Sequence, residues 1–295
     1  MEQRPLVTVG MPTFNRPDGL KRALASIRAQ TYGHLEIIIS DNASTDPSVA
    51  LLIADASRED DRIRAYRQES NRGPYFNFIF VLRQAKGPFF MWAADDDEWH
   101  PEFVEKLLAP LLLNPKTGLS FCDFEVRYPN QTPCQGYGSF YHAYREFLHA
   151  DGVCRVFRYA TQAPERGKAN LIYGLFRVEA LREGLQSNYF DSRAWGADML
   201  FVCDILSRWS FNLLSEKLYV VGIPFECHQL QVQQDPRIAL HPGRMKRQMI
   251  ESHLRYFFSY LRIMSLTPGA SPRSTIRLLV QLFPTAVRWL KQDLA

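Results

Sequence analysis

The chain contains no apolar run approaching the roughly 18 residues that a bilayer-spanning helix needs, which argues against a transmembrane protein. Cysteine is sparse. The five thiols (Cys122, Cys134, Cys154, Cys203 and Cys227) are odd in number and never spaced CxxC, so neither a disulfide framework nor a zinc ribbon is expected, and free thiols in a reducing cytoplasm are. There is no internal repeat or low-complexity tract. No glycine-rich phosphate loop follows the first strand-like segment, and no DxDxT pattern is present. The polar start, Met1 to Pro5, runs directly into that segment, so no signal peptide is predicted. What remains is ordinary globular composition over 295 residues, 46% hydrophobic and 22% charged, long enough for a substantial core.

The net charge of +4 conceals an asymmetry. From Ala239 onward nine Lys/Arg face two Asp/Glu, a balance of +7, and the rest of the chain is left at −3. Charge gathered at one end suggests a surface-contacting extension rather than a nucleic-acid-binding body.

The first half alternates strand and helix signals. Leu6–Met11 reads as a buried strand, followed by a helix from Pro17 whose Leu20, Ala23, Leu24 and Ile27 repeat at helical spacing. Leu35–Ser40 is a second strand, and Asp41–Asp46 opens a helix running to about Ser57. A third strand near Arg62–Arg67, a turn at Asn71-Arg-Gly73, a helix to about Ala85 and a fourth strand at Pro88–Trp92 follow. The next helix begins near Pro101, and Gly118–Asp123 is a fifth strand. Such alternation predicts an α/β fold with a mainly parallel, Rossmann-like sheet, whose ligands bind beyond the carboxyl ends of the strands. Pro12–Asn15, Asp41 and the triplet Asp95-Asp96-Asp97 all fall at such ends. Residues 126–170 show no clean period and read as a loop-rich insertion. Order returns with Leu171–Phe176, and a helix from about Gly196 to Trp209, a strand at Leu218–Phe225 and two basic amphipathic helices (roughly Arg244–Met264 and Pro272–Gln292) complete the chain.

Three adjacent carboxylates repel one another unless they share a cation. Hard divalent ions suit them, and these commonly take one or two carboxylates plus substrate phosphates. Solvated surface charge is the plain alternative, but the triplet follows an apolar strand and precedes a helix start.

Pro12-Thr-Phe-Asn-Arg16, Ile38-Ile-Ser-Asp41-Asn-Ala-Ser44, Asn71-x-Gly73, Ala85-x-Gly87 and Ala94-Asp-Asp-Asp97 occur in order. Together they resemble the nucleotide-sugar-binding half of family-2 glycosyltransferases of the GT-A fold, closely over residues 6–113 and loosely to about residue 230. The resemblance implies an inverting, metal-dependent hexosyl transfer. The donor would be a nucleotide-diphosphate sugar, with UDP the favoured nucleotide, and the acceptor a saccharide or lipid-linked hydroxyl in cell-surface polysaccharide or glycolipid synthesis. By the same resemblance Pro12, Thr13, Phe14, Asn15 and Asp41 cradle the nucleoside, and Asn71 and Gly73 shape its pocket. Asp95 contacts the donor, Asp96 is the principal ligand of Mn2+ or Mg2+, and Asp97 and His228 are further metal contacts. Ala94 replaces an Asp frequent in the family, so the roles of Asp95 and Asp97 stay open, and Phe76 stands where many relatives carry Arg.

The attacking hydroxyl must lose a proton, which calls for a carboxylate or imidazole base. Asp198, opening an apolar helix, is the first candidate and Asp191 the second; helix capping is Asp198's plain alternative. Trp195 and Glu226 are candidate acceptor contacts. The expected organisation is a catalytic domain over 1–238, divided into a donor half (1–123) and an acceptor half (124–238), with a basic helical extension over 239–295. That extension suits peripheral contact with the inner face of a membrane, or equally packing onto the catalytic domain or a second subunit as a homodimer. The competing readings are a related domain that binds nucleotide-sugar without catalysis, and a sugar nucleotidyltransferase.

Overall fold

The structure, a computed structural model, describes residues 4–128, 132–134, 138–163, 166–190, 196–222 and 242–294. Strands β1 (Val7–Thr13) and β2 (Leu35–Asp41) are buried along their whole length, as near-continuous apolar runs must be when helices cover both faces of a sheet. They pair in parallel with Thr13 opposite Asp41. β3 (Ile63–Arg67) adds to the outer side of β2, and β4 (Phe89–Trp92) to the other side of β1. Between them run α1 (Pro17–Arg28), α2 (Pro47–Glu59) and α3 (Pro74–Arg83). Each of these helices opens on a proline, whose missing N–H costs nothing in the first turn. α1 buries the predicted Leu20, Ala23, Leu24 and Ile27, and the Asp46 carboxylate caps α2 by accepting from the Ser48 amide at 2.9 Å. The chain therefore moves outward from β1 to β3 and returns to β4 on the opposite side, placing a topological switch point above β1 and β4.

The second half continues the same sheet with β5 (Glu98–Trp99), β6 (Thr117–Arg127), β7 (Leu175–Arg177) and β8 (Ser210–Gly222). The strand order is β3-β2-β1-β4-β7-β6-β8-β5. β7 runs antiparallel to both neighbours, β5 is antiparallel to β8, and the other four pairings are parallel. The helices are α4 (Phe103–Leu113), α5 (Phe140–Tyr144), α6 (Gly152–Thr161), α7 (Val178–Gln186) and α8 (Ala197–Arg208), then α9 (Pro242–Leu266) and α10 (Pro272–Leu294). The expected mainly parallel α/β sheet with a C-terminal helical extension is what the chain forms.

Some element expectations need correction. Residues 126–170 are not mainly loop: α5, α6 and a 3-10 segment at Lys168–Tyr173 lie there. The α6 start is capped by Asp151, which accepts from the Cys154 amide at 2.7 Å. Leu171–Phe176 is mostly that 3-10 segment, with only Leu175–Arg177 in the sheet. β8 begins eight residues earlier than the apolar run suggests, because the exposed Ser215-Glu-Lys217 stretch bulges in register against β6 without ending the pairing.

The core beneath the site is aromatic. Trp92, fully buried, stacks on Phe190 at 5.9 Å and on Phe78 at 6.2 Å, and meets Phe90 edge-on at 4.9 Å. Its indole N–H donates to the Phe78 carbonyl at 3.0 Å. Trp92 also meets Phe176 of β7 and Phe201 of α8 edge-on, so one ring ties the first strands of the sheet to β7 and α8. α9 and α10 join this packing. Tyr256, Tyr260, Ile263, Met264, Leu278 and Leu282 are buried, and the Tyr256 hydroxyl lies 3.7 Å from the Met199 sulfur on α8. Among the described residues no helix is long and apolar enough to cross a membrane.

Candidate active site

The four loops leaving the carboxyl ends of β1, β2, β3 and β4 are tied to one another by side chains from the predicted motifs. Asn15 takes a left-handed backbone (φ 54°), a conformation Asn tolerates better than most residues. Its carboxamide oxygen accepts from the Thr45 and Asp46 amides at 2.7 and 3.1 Å, while its own N–H donates to the Ser44 hydroxyl at 2.9 Å. The loops after β1 and β2 are thereby fixed together. The Asn42 carboxamide donates to Asn71 at 2.9 Å and to the Gly73 carbonyl at 3.1 Å, joining the loops after β2 and β3. Asn71 in turn accepts from the Gly73 amide at 2.9 Å. Asp41, almost fully buried, accepts from the Ser44 amide at 2.8 Å and from Arg67 at 2.5 Å. It is thus a turn-closing residue whose carboxylate is held by a cation.

The loop after β4 carries the acidic triplet and is fastened to β1. The Thr13 hydroxyl donates to Asp95 at 2.8 Å, with the Phe14 amide 3.4 Å from the same oxygen. Pro12 is buried within β1 opposite Ser40. A single guanidinium, Arg16, pairs with Asp95 at 3.3 Å and more closely with Asp96. Asp97 is engaged elsewhere: it accepts from the Tyr219 hydroxyl and from the Gly222 amide at 2.9 Å, holding the loop to β8. Two glycines allow the loop to pass. A β-carbon on Gly19 would collide with the Asp95 carbonyl oxygen, and one on Gly222 with that of Asp96.

Burial, and next the charge of Asp96, pushes the Asp95 carboxyl up to about 6, against the pull of Arg16, Thr13 and the Phe14 amide. Burial likewise raises Asp96, opposed by Arg16. Asp97 is pushed up to about 8 by burial and then by Asp96, despite its bonds to Tyr219 and Gly222. Carboxylates this reluctant to ionise gain from a nearby cation. Asp95 and Asp96 converge on one positive group and present hard oxygen, which fits Mn2+ or Mg2+ bound through one or two carboxylates plus phosphate oxygens. Among the described residues no cluster of three or more His, Cys, Asp or Glu converges.

The start of α8 is built differently. Asp198 lies in the first turn of α8. Burial raises its carboxyl, and the Met199 and Asp198 amides and the Lys168 ammonium pull it down. Lys168 is fully buried: its ammonium donates to the Tyr159 carbonyl at 3.1 Å and lies 5.2 and 5.4 Å from the Tyr159 and Tyr260 ring centres. The Tyr173 ring lies 6.0 Å from that of Tyr219. The Tyr173 phenol is raised first by burial and then by the charges of Asp97, Asp96, Asp198 and Asp95, so the triplet and Asp198 act on one common group.

Sequence reasoning missed Arg16 as a counter-ion, and Lys168, Tyr173 and Tyr219 altogether. Arg16 closed a recognised motif and could have been found from its sign beside three acids. The other three carry no local signal. Phe76 brings a compensation of its own, since the Arg72 guanidinium lies 3.6 Å from the centre of its ring, so a cation still occupies this corner. Asp191, Trp195, Glu226 and His228 lie outside the described residues. The four described cysteines are free.

Comparison with known proteins adds to this geometry. Over 95 residues the chain is 39% identical to the GalNAc(5)-diNAcBac-PP-undecaprenol beta-1,3-glucosyltransferase of Campylobacter jejuni, covering 32% of this chain and 30% of that protein. Over 150 residues it is 27% identical to TuaG of Bacillus subtilis, a glycosyltransferase whose name provisionally assigns it to teichuronic acid biosynthesis, covering 51% of this chain and 58% of that one. The chain thus spans less than two thirds of either relative. Among solved structures, S. aureus TarS 1-349 superimposes with a TM-score of 0.55 at 17% identity, over 99% of this chain and 83% of that one. The mannosyltransferase PcManGT of Pyrobaculum calidifontis, solved with GDP-Man and Mn2+, gives 0.54 at 16% identity, over 99% and 84%. These likenesses establish the GT-A fold. The profile described as "Glycosyl transferase family 2" matches residues 8–156, about half of the chain, and the protein belongs to that family.

Proposed function

We propose that the protein transfers a sugar from a nucleotide-diphosphate donor to a hydroxyl of a saccharide or lipid-linked acceptor, with inversion, in cell-surface polysaccharide or glycolipid synthesis. The observation that carries this reading is the set of four loops tied together at the switch point, with Asp95 and Asp96 gathered on one cation. The nature of the acceptor is supported by the Campylobacter jejuni relative, whose name specifies an undecaprenol-diphosphate glycan. The donor is supported by fold neighbours solved with UDP, UDP-GlcNAc and GDP-Man.

In this reading Pro12, Thr13, Phe14 and Asn15 form the nucleoside floor. Asp41, oriented by Arg67, accepts from the base, and Asn71 and Gly73 close the pocket edge. Asp96, with 26% of its side chain accessible against 11% for Asp95, is the principal ligand of Mn2+ or Mg2+, with Asp95 beside it. Asp97 fastens the loop to β8, and its place among the metal contacts, like that of His228, rests on the motif alone. The divalent ion, when bound, neutralises charge growing on the departing diphosphate. Asp198 takes the proton from the acceptor hydroxyl, and burial raises its basicity against the opposing pull of the α8 N-terminus. Asp191 is its alternate. Residues 1–123 serve the donor and 124–238 the acceptor, with 239–295 as an extension.

The test is to incubate the protein with a panel of nucleotide-diphosphate sugars and Mn2+, and to measure nucleoside diphosphate release and product configuration by NMR. Release that needs both metal and Asp96, with an inverted product once an acceptor is found, supports the reading. If no donor in the panel is ever turned over with metal present, the protein is instead a binding domain.

A further inference from the structure

The last two helices have more apolar surface than their packing uses. α9 turns Tyr256, Tyr260, Ile263 and Met264 into the body, and α10 turns Leu278 and Leu282 inward. Each helix then carries a second apolar strip facing solvent. On α9 it is Leu254, Phe258 and Leu266, and on α10 Ile276, Leu279, Val280 and Phe283. Phe258, Val280 and Phe283 are 59%, 66% and 58% exposed, large fractions for such side chains. The α10 positions 276, 280 and 283 follow helical spacing and lie on one face. The buried Phe257 ring contacts Phe258 at 5.3 Å and Phe283 at 6.1 Å, linking one residue of each strip.

The exposed charge that the two helices themselves contribute beside this surface is mostly positive, while at the α9 end Arg262 and Leu266 line a cavity with Glu183 and Asp204. Arg247, Arg255 and Arg262 on α9, and Arg273, Arg277 and Arg288 on α10, are all exposed, and Glu251 is the one exposed acid among the described side chains of the pair. Glu251 is already engaged by Arg247 at 3.0 Å. On α10 the arginines lie along one edge of the apolar face, with Arg277 reaching the Phe157 ring at 4.9 Å. The rest of the chain is net negative, so the molecule presents one positive, apolar plate.

We propose that this outward face of the C-terminal helix pair docks onto an anionic lipid bilayer. Aromatic and aliphatic side chains would enter the acyl boundary while the arginines meet lipid phosphates, the pattern of interfacial helices. A second copy of the chain fits less well, because an isologous contact would bring six arginines against the same six. The inference does not depend on the transfer reaction, and its readout is binding.

The experiment is flotation of the full-length protein with phosphatidylcholine vesicles, with and without a substantial share of phosphatidylglycerol. The expected result is association with the anionic vesicles, weakened about tenfold or more in neutral vesicles and by high salt. The Phe258→Ser/Val280→Ser/Phe283→Ser variant, altered only at exposed positions and checked by its melting temperature, should lose binding to both kinds of vesicle. The Arg255→Gln/Arg262→Gln/Arg273→Gln variant should lose the anionic preference. The proposal is overturned if wild type ignores anionic vesicles, or if the apolar variant floats as wild type does. It is equally overturned if light scattering shows a dimer that the apolar variant dissolves while vesicles stay unbound, since the face would then be a self-interface.

Discussion

The proposed donor edge and the proposed acceptor side of this protein both hold carboxylates that burial raises, and they answer that cost with different cations. At the donor edge Asp41, Asp95 and Asp96 each meet an arginine, and hydroxyl and amide donors complete their bonding. At the start of α8 burial raises Asp198 as well, and the Met199 and Asp198 amides and then the Lys168 ammonium counter it. Arg16 and Arg67 are 40% and 53% accessible, whereas Lys168 is fully enclosed. An exposed counter-ion can give way to substrate or metal; an enclosed one sets a fixed field. The comparison suggests that the donor edge is built for exchange and the acceptor side for constancy.

The largest effect that would break this contrast is expected at Asp198. Asp198→Asn should lower kcat by about a hundred- to ten-thousandfold, while metal-dependent donor binding, followed by thermal shift, stays as in wild type. Asp96→Ala should cost on the order of a hundred- to thousandfold, and here donor binding should fall as well. If both variants damage donor binding equally, the two sides do not divide the work as described.

A smaller effect separates the fixed field from plain packing. Lys168 lowers the Asp198 carboxyl, so Lys168→Met should raise it and move the acid limb of the kcat profile upward, by up to about one pH unit. A purely structural lysine would reduce the melting temperature and leave the limb in place. The smallest effect concerns the donor edge. The Asp95 carboxyl, pushed up to about 6, must be ionised to hold a metal. Stabilisation by Mn2+ in a melting assay should therefore fade as pH falls below about 6, approaching a tenfold loss of affinity per unit. Because this carboxyl lies above its ordinary value in the folded state, its ionisation removes stability as pH rises toward 6, and a bound cation should restore it. A metal effect independent of pH between 5 and 7 would place the ion elsewhere.

The two regions also differ in how far the sequence reveals them. From β1 to α4 each element is announced locally, except β5, whose two residues leave no period to read. Pro17, Pro47 and Pro74 mark helix starts, Asp46 supplies a cap, and short apolar runs between turns can only be buried strands. Beyond residue 126 the same logic weakens. α7 holds Gly184 within its turns, and a Cβ there would meet Phe201 and Ile205 of α8, a close approach that only tertiary packing explains. The site follows the same division. Thr13, Asn15, Asp41, Asn71 and Asp95 are found in motifs because they bond across neighbouring loops. Tyr219 reaches Asp97 across 122 positions of sequence, and the Lys168 environment requires α6 and α9 to come together. Contacts of that span leave no local trace.

The most direct test of the central claim, that the loops beyond β1–β4 hold a nucleotide diphosphate with a divalent ion, is a thermal-shift panel. UDP, GDP, dTDP and CMP would each be added with and without Mn2+, to wild type and to Asp96→Ala. The account predicts that a diphosphate, UDP foremost, raises the melting temperature of wild type only when the metal is present, and that Asp96→Ala loses this response. No metal-dependent stabilisation by any nucleotide, or an unchanged response in Asp96→Ala, would contradict it.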